Sequence, residues 1–141
     1  MQVSECMTRD VQVAIPDDTI QHAAQIMERI DAGVLPVGQG DRLVGMITDR
    51  DIAIRAVAKG RECDTPVGEA MSSQVLYCYA DDDAEDVLEN MGDQQLRRMP
   101  VVDRDKRLVG IVSIGDLAKK DERDTGEALS QIAQPGGLHA T

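Results

Sequence analysis

Apolar residues in the first half of the chain follow two different spacings. Residues 11–15 alternate and are largely β-branched, which predicts a short strand ended by Pro16. Apolar residues then recur at helical spacing, which predicts an amphipathic helix that Gly33 stops. Its candidate caps are Asp17, Asp18 and Thr19, and its apolar face consists of Ile20, Ala23, Ala24, Met27 and Ile30.

The same half continues with a hairpin and a second helix. Residues 34–37 and 43–47 predict two strands joined by a turn at 38–41, and Pro36 implies an edge or bulge position. Thr48 is the predicted cap of a helix that runs to about Lys59 and is followed by Gly60. The buried face predicted for this helix consists of Ile52, Ala53, Ala56 and Val57.

The second half repeats this order of elements. Thr125 then predicts the cap of a short helix with Leu129 and Ile132 on one face, and residues 135–141 are expected to fray. The predicted strands of this half lie at 75–79, 99–102 and 108–112, one helix spans about 84–91, a turn occupies 103–106, and a last helix begins near Ile114.

The two halves also agree residue by residue. V-S-E-C-M-T at 3–8 returns as V-G-E-A-M-S at 67–72, and R-L-V-G-M-I-T-D-R-D-I at 42–52 returns as R-L-V-G-I-V-S-I-G-D-L at 107–117. We predict an α+β fold of two β-α-β-β-α copies related by a pseudo-twofold axis, with one shared core because halves of about 60 residues are marginal alone. The predicted boundaries are 1–60 and 67–124 for the copies, 61–66 for the linker and 125–141 for the tail.

Composition narrows the classes of partner. The net charge is −11 and the sequence pI is about 4.5, so nucleic acid and anionic membranes would be repelled. Phe and Trp are absent, which predicts an aliphatic, Met-rich core. No stretch is apolar enough to span a membrane, and Glu5, Arg9 and Asp10 stand where a signal peptide needs an apolar run. A cytoplasmic protein is therefore expected.

The sequence offers little for catalysis or metal binding. His22 and His139 have no second ligand at metal spacing, and no nucleophile, base and orienting residue occur together, so neither a metal site nor an enzyme is expected. Cys6, Cys63 and Cys78 are odd in number and lack C-x-x-C spacing. This argues against a disulfide framework and leaves a single disulfide open.

Two motifs, each present in both copies, carry a family resemblance. One is the short apolar-Pro-Val strand; the other is G-h-x-[ST]-x-x-D, where h is apolar, at 45–51 and 110–116. With the β-α-β-β-α order, these motifs resemble the CBS-domain pair, or Bateman module, over about residues 3–120, in its free-standing bacterial form. The resemblance implies a module that forms a homodimer and often binds adenine nucleotides in the clefts between its two copies.

The chemistry of such a site can be followed in these residues. Thr48 and Ser113 stand at helix starts, where unpaired N–H groups and the helix dipole attract an anion, and their hydroxyls add a hydrogen bond to a phosphate. The resemblance assigns Asp51 and Asp116 to the ribose hydroxyls. The same spacing is close to that of a capping box, so a purely capping role and a binding role both stay open.

The remaining candidates are cations and apolar walls. Arg50 and Arg98 could neutralise phosphate. The second copy has Gly115 in place of Arg50, and Arg97-Arg98 where the first has Gly33-Val34, so one good site and one poor site are expected. An alternative interpretation of Arg97 and Arg98 is that they are solvated surface charges. The candidate adenine walls are Val13, Ala14, Val34, Leu35, Pro36, Cys78, Tyr79, Met99 and Pro100.

Two functions follow as hypotheses. The first is a homodimeric, non-catalytic regulatory module that binds AMP, ADP or ATP, with S-adenosylmethionine as a related ligand and no cofactor. The second is a ligand-independent dimeric scaffold for protein interaction or stress response. The apolar Ile114 and Gly115 in the second motif favour this alternative, which requires a protein partner that the sequence does not identify.

Overall fold

The computed structural model describes residues 1–94 and 96–118, and the chain divides into two compact units. One unit is Gln12–Val75, and the other combines Met1–Val11 with the described residues from Leu76 to Ala118. Each unit contains helices and strands, so the predicted α+β class is confirmed. The boundaries predicted for the sequence copies, the linker and the tail stay a prediction.

The unit Gln12–Val75 is built around a hairpin. Helix α1 is followed by strands β1 and β2, which pair antiparallel, and then by an irregular helical stretch. The register shifts between Val37 and Gly38, one residue beyond Pro36, for which an edge or bulge position was predicted. The elements are α1 Ile20–Ile30, β1 Val34–Gln39, β2 Arg42–Thr48, α2 Asp49–Asp51, a π-helical segment Ile52–Ala56, a 3₁₀ turn Val57–Lys59 and α3 Val67–Ala70.

The other unit has the same order of elements with one more strand. Its sheet has the order β3-β4-β5, in which β3 and β4 are parallel while β4 and β5 form an antiparallel hairpin. The elements are a 3₁₀ turn Val3–Glu5, β3 Cys78–Tyr79, α4 Ala84–Gln94, β4 Arg98–Val102, β5 Leu108–Ser113 and α5 Ile114–Ala118. The predicted tail helix capped by Thr125, with Leu129 and Ile132, lies outside the described residues, as does the fraying predicted for 135–141.

The strand predicted at the start of each copy is shorter than expected. Residues 11–15 form a single bridge, in which the Ala14 N–H donates to the Pro36 carbonyl at 3.0 Å and the Ala14 carbonyl accepts from Gly38 at 2.8 Å. The predicted strand 75–79 is reduced to Cys78–Tyr79. In both copies a backbone N–H of this stretch donates to an aspartate side chain three residues on: Ile15 to Asp18 at 3.2 Å and Tyr79 to Asp82 at 2.8 Å.

Helix α1 begins as predicted and ends earlier. The Thr19 hydroxyl accepts from the His22 N–H at 3.0 Å. Of the three candidate caps Asp17, Asp18 and Thr19, the residue that caps the helix is therefore Thr19. The helix ends at Asp31, which is left-handed with φ 53°, and not at Gly33. Aspartate reaches this conformation more readily than most residues because its short side chain can bond locally. Ala24 and Ile30 are exposed, and the buried face is Ile20, Ala23, Ile26 and Met27.

The second helix of this unit is not a regular α-helix. After α2 the chain widens into the π-helical segment and then tightens into the 3₁₀ turn. A π-helix, whose hydrogen bonds join residues i and i+5, turns through a smaller angle per residue than an α-helix. A buried face assigned at α-helical spacing therefore no longer lies on one side of the segment. Ala56 alone of the predicted face is fully buried; Ile52 is half-buried, while Ala53 and Val57 are exposed.

Each unit has its own core, in place of the single shared core that was expected. The repeated segment V-x-x-x-M supplies one residue to each: Val3 is fully buried among residues of the unit that continues from Leu76, and Val67 is fully buried in the unit Gln12–Val75. Five residues after each valine the chain forms an isolated β-bridge to a strand of the same unit: Thr8 pairs with Ile111, and Ser72 pairs with Met46. The leading segment of each sequence copy therefore completes the core built by the other copy.

Candidate functional site

The motif at the end of β2 joins a hydroxyl to a carboxylate. The Thr48 hydroxyl accepts from the Asp51 N–H at 2.9 Å, and Oδ2 of Asp51 accepts from the Thr48 N–H at 3.0 Å. Both residues are partly buried. This reciprocal pair is a capping box with aspartate in the place of the usual glutamate.

The motif at the end of β5 has the same geometry. The Ser113 hydroxyl accepts from the Asp116 N–H at 3.0 Å, and Oδ2 of Asp116 accepts from the Ser113 N–H at 2.9 Å. Each of the two predicted hydroxyl–carboxylate pairs is therefore formed within its own unit. It also confirms the capping role of the four residues, which does not by itself prevent them from receiving a ligand.

The two helix starts differ in how their N–H groups are occupied. At the first motif the Asp49 N–H donates to the Gly33 carbonyl at 2.9 Å, and the Arg50 N–H donates to Oδ1 of Asp49 at 2.8 Å. With the Asp51 N–H held by Thr48, the first three N–H groups are used, so the expectation of unpaired donors is wrong at this motif. Protein oxygens there already take the place of an anion.

At the second motif the corresponding side-chain acceptor is missing from the sequence. The Ile114 N–H donates to the Arg97 carbonyl at 3.0 Å, which repeats the contact between Asp49 and Gly33. Ile114 replaces Asp49, however, so the residue before Gly115 has no carboxylate to cap the Gly115 N–H. This helix start carries one negative charge fewer than the first.

The predicted cations are also placed unequally. Arg98 is paired with Ser113 across the β4–β5 hairpin and is half-buried, while Arg97 next to it is exposed. Within the described part of the chain, neither guanidinium has a carboxylate at ion-pair distance. Arg50 lies exposed on α2 next to Asp49. At the second motif a hydroxyl is therefore accompanied by two arginines that have no ion-pair partner among residues 1–94 and 96–118.

The predicted apolar walls separate by strand alternation. Val34 is paired with Thr48, and Pro36 lies two residues further on, so both belong to one face of β1. Leu35 and Met99 are fully buried in the cores of their units, where their side chains pack against other core residues. Pro100 is also buried.

The first-strand candidates lie further from the hydroxyl–carboxylate pairs. Ala14 pairs with Val37, three residues along β1 from Val34, which is about 10 Å at the rise of a strand. Cys78 and Tyr79 pair with Val101 and Val102, at the same or greater separation from Arg98 on β4. Ala14 and Cys78 are buried, whereas Val13 is exposed.

Tyr79 already has partners of its own. The Arg104 guanidinium lies 4.1 Å from the centre of its ring, and the Tyr77 ring meets it edge-on with centroids 5.8 Å apart. Arg104 also donates to both carboxylate oxygens of Asp81, at 2.7 and 3.0 Å, which holds the pKa of Asp81 below its ordinary value. One face of the Tyr79 ring is thus covered by Arg104, which makes it a poor surface for an adenine.

Sequence reasoning missed two residues at the first motif, Asp49 within it and Arg55 four residues beyond it. Asp49 caps its neighbour, and Arg55 places Nε 3.7 Å from Oδ1 of Asp51. The spacing of Asp51 and Arg55, four residues apart on a helix, was the available signal for this ion pair. In the described ranges there is no group of three or more His, Cys, Asp or Glu side chains suited to a metal ion, and no helix both long and apolar enough to cross a membrane.

Comparison with known proteins identifies the family. The family model of the CBS domain matches residues 3–57 and again residues 67–123. This chain belongs to the CBS-domain family. The two matches cover both copies, which confirms the two tandem CBS motifs expected from the sequence. The CBS domain-containing protein YhcV of Bacillus subtilis is 41% identical over 133 residues, which cover 93% of this chain and 94% of YhcV.

Solved CBS-domain structures include complexes with adenine compounds. CBSX2 in complex with AMP is 25% identical, with a TM-score of 0.74, over 84% of this chain and 93% of that one. The CBS domain pair of MJ0100, in complex with 5′-methylthioadenosine and S-adenosyl-L-methionine, is 28% identical, with a TM-score of 0.73, over 84% of this chain and 94% of that one. CBS pairs of this fold therefore include proteins that bind adenosyl ligands.

Proposed function

We propose that this CBS-domain chain is a non-catalytic regulatory module that binds an adenine nucleotide and forms a homodimer. AMP, ADP and ATP are the proposed ligands, with S-adenosylmethionine as a related one. The AMP and S-adenosylmethionine complexes of the similar CBS pairs support this class of ligand. The cytoplasmic location expected from the sequence stays a prediction.

The single observation that carries the proposal is the arrangement around Ser113. Its hydroxyl is held at 3.0 Å from the Asp116 N–H, and Arg98 stands opposite it in the hairpin without a carboxylate partner in the described ranges. A hydroxyl and a guanidinium are suited to a phosphate, and the Asp116 carboxylate is suited to accept the two hydroxyls of a ribose. The second motif is accordingly the stronger site for a phosphorylated ligand.

The first motif is the weaker site. Its helix start is occupied by Asp49, and the position of Arg98 is taken by Val34. A phosphate there would meet the Asp49 carboxylate, which repels it. Binding at either motif can change the module only by as much as the ligand prefers one conformation over another.

Titration calorimetry with AMP, ADP, ATP and S-adenosylmethionine tests the proposal. The sharpest variants are Asp116→Glu and Asp51→Glu, because glutamate is the usual capping-box residue and preserves the cap while moving the carboxylate by one methylene. We expect Asp116→Glu to weaken adenylate binding much more than Asp51→Glu, with both variants as stable as the wild type. Arg98→Gln should weaken ATP more than it weakens S-adenosylmethionine, which has no phosphate.

The proposal fails if no adenylate binds the wild-type protein at millimolar concentration. It is also contradicted if ligands bind and Asp116→Glu binds them unchanged. Sedimentation of the protein with and without AMP reports the homodimer separately, and a monomer in both states would remove that part of the proposal alone.

The ligand-independent scaffold is the second candidate, and one observation favours it. The polar groups of the first motif satisfy each other without a ligand, through the Thr48–Asp51 box and the Asp49 cap. A protein partner captured equally well with and without AMP, and also by Asp116→Glu, would support the scaffold. Capture that depends on AMP would argue against it.

A further inference from the structure

Arg55 connects the first motif to the last segment of its unit. Its Nε lies 3.7 Å from Oδ1 of Asp51, and its Nη1 donates to the Met71 carbonyl at 3.1 Å. The next residue, Ser72, exchanges two hydrogen bonds with Met46 on β2, at 2.8 and 2.9 Å. One guanidinium therefore bridges the proposed ribose-binding carboxylate and the segment that ends at Val75.

Both oxygens of the Asp51 carboxylate are engaged, one by the backbone and one by this bridge. Oδ2 accepts the Thr48 N–H at 3.0 Å, Oδ1 faces Arg55, and the Asp51 side chain is only 17% exposed. A ribose diol that approaches this carboxylate has to share Oδ1 with the guanidinium or displace it. Arg55 and the ligand are thus competitors for one oxygen.

The second copy has a different residue at the equivalent position. Asp51 corresponds to Asp116, and the residue four positions after Asp116 is Lys120 where the first copy has Arg55. An arginine fork can hold two acceptors at fixed angles, whereas a lysine is a single flexible charge. The arginine that forms the two-acceptor bridge is therefore present in the sequence of the first copy and replaced by lysine in the second.

We propose that Arg55 is a positioning residue that lowers the ligand affinity of the first motif and couples its occupancy to the Met71–Ser72 segment. The inference rests on the proposed function, since it requires Asp51 to receive the ribose. When a ligand draws Asp51 away, Arg55 keeps one of its two partners. Its side chain gains rotamers, and its hydrogen bond to Met71 weakens.

Calorimetry with AMP in an Asp116→Ala background isolates the first motif. Arg55→Gln should raise its affinity about two- to five-fold, the range expected for an exposed ion pair. The gain should shrink at roughly 1 M salt, where charges are screened beyond about 3 Å. Arg55→Lys should give a smaller gain, because it restores a charge near Asp51 and not the fork.

Arg61→Gln is the matched control. Its Nη1 also lies 3.7 Å from a carboxylate oxygen, that of Glu69, in the same unit, so the variant removes the same charge from a comparable ion pair. We expect it to leave AMP affinity unchanged. If Asp116→Ala unfolds the protein, Asp116→Glu is the background.

Hydrogen exchange of the peptide that contains Met71 and Ser72 gives an independent measurement. AMP should increase exchange in this peptide in the protein with wild-type Arg55, whereas Arg55→Gln should exchange faster without ligand and show no further increase. Equal AMP affinity with and without Arg55→Gln, or an equal gain from Arg61→Gln, overturns this inference and leaves the proposed function standing. Absence of any adenylate binding by the wild type overturns both.

Discussion

The sulfur of Met7 lies 2.5 Å from the position that a Cβ on Gly110 would occupy, which is too close for a Cβ to fit. The repeat has the same relationship between Met71 and Gly45, at 2.7 Å. In both cases the next carbonyl oxygen, that of Thr8 or Ser72, is within 2.9 Å of the same position. The glycine of each G-h-x-[ST]-x-x-D motif is therefore required by the close approach of a leading segment to its strand.

Gly110→Ala should destabilise the protein by about 1–3 kcal/mol, the usual cost of overpacking a core. Adding Met7→Ala should restore little of this, because the Thr8 backbone oxygen, at 2.9 Å, cannot move as a side chain can. Urea unfolding measures the free energy of unfolding of the single and the double variant. Gly115→Ala is the control: among the described residues its Cβ would meet the Ser113 hydroxyl alone, at 3.5 Å, so stability should be equal or slightly higher. A Gly110→Ala protein as stable as the wild type would contradict the close packing.

Ser113→Ala should cost about 1 kcal/mol of stability, because the Asp116 N–H loses the cap that the hydroxyl provides. Ser113→Thr keeps the oxygen and should cost little. Chemical denaturation of the three proteins at neutral pH makes the comparison. If alanine and threonine behave alike, the Ser113 hydroxyl is not a stabilising cap.

The Arg104–Asp81 pair predicts a pH dependence. Arg104 lowers the pKa of Asp81 from its ordinary 3.8 through their hydrogen bonds. A lowered folded-state pKa contributes stability that is present above 3.8 and lost as pH falls through the folded-state value. Carboxyl carbon NMR should show the Asp81 pKa return toward 3.8 in Arg104→Gln.

Arg97→Gln removes the same charge from the same unit without touching Asp81, so it is the control for this titration. It should leave the Asp81 titration unchanged. An Asp81 curve that is the same in Arg104→Gln and in the wild type would show that the pair does not form in solution.

The three cysteines should differ in reactivity. Burial, with the nearby charges of Asp82 and Cys6, raises the pKa of Cys78 to about 12, whereas Cys63 is exposed. At mildly alkaline pH a thiol reagent should label Cys63 first and Cys78 only on unfolding, since the thiolate is the reactive form. Mass spectrometry of labelled peptides checks the order, and early labelling of Cys78 would contradict its burial.

The raised pKa of Cys78 also affects the free energy of unfolding. Between pH 9.0 and about 12 the unfolded chain loses the Cys78 proton and the folded chain keeps it, so stability falls as pH rises through this window. Cys78→Ala should show a weaker fall. Equal slopes in the two proteins would mean that the Cys78 thiol titrates normally in the fold.

Local features of the fold could be predicted because they depend on neighbours in sequence. The two hairpins, the start of α1 at Ile20 and the capping boxes all appear where spacing placed them. The first hairpin closes on Gly40 with φ 66°, a left-handed conformation that glycine adopts without steric cost. The hydroxyl–carboxylate pairs belong to this class, since four consecutive residues at a helix start determine them.

Only the tertiary structure decided which partner each segment meets. Packing of the leading segments placed Val3 and Val67 in cores built by the other sequence copy, which repeat spacing does not specify. It also buried Leu35 and Met99, and it positioned Arg55 between Asp51 and the distant Met71 carbonyl. Periodicity in a sequence records which face of an element is apolar, and contacts across long sequence separations determine what that face packs against.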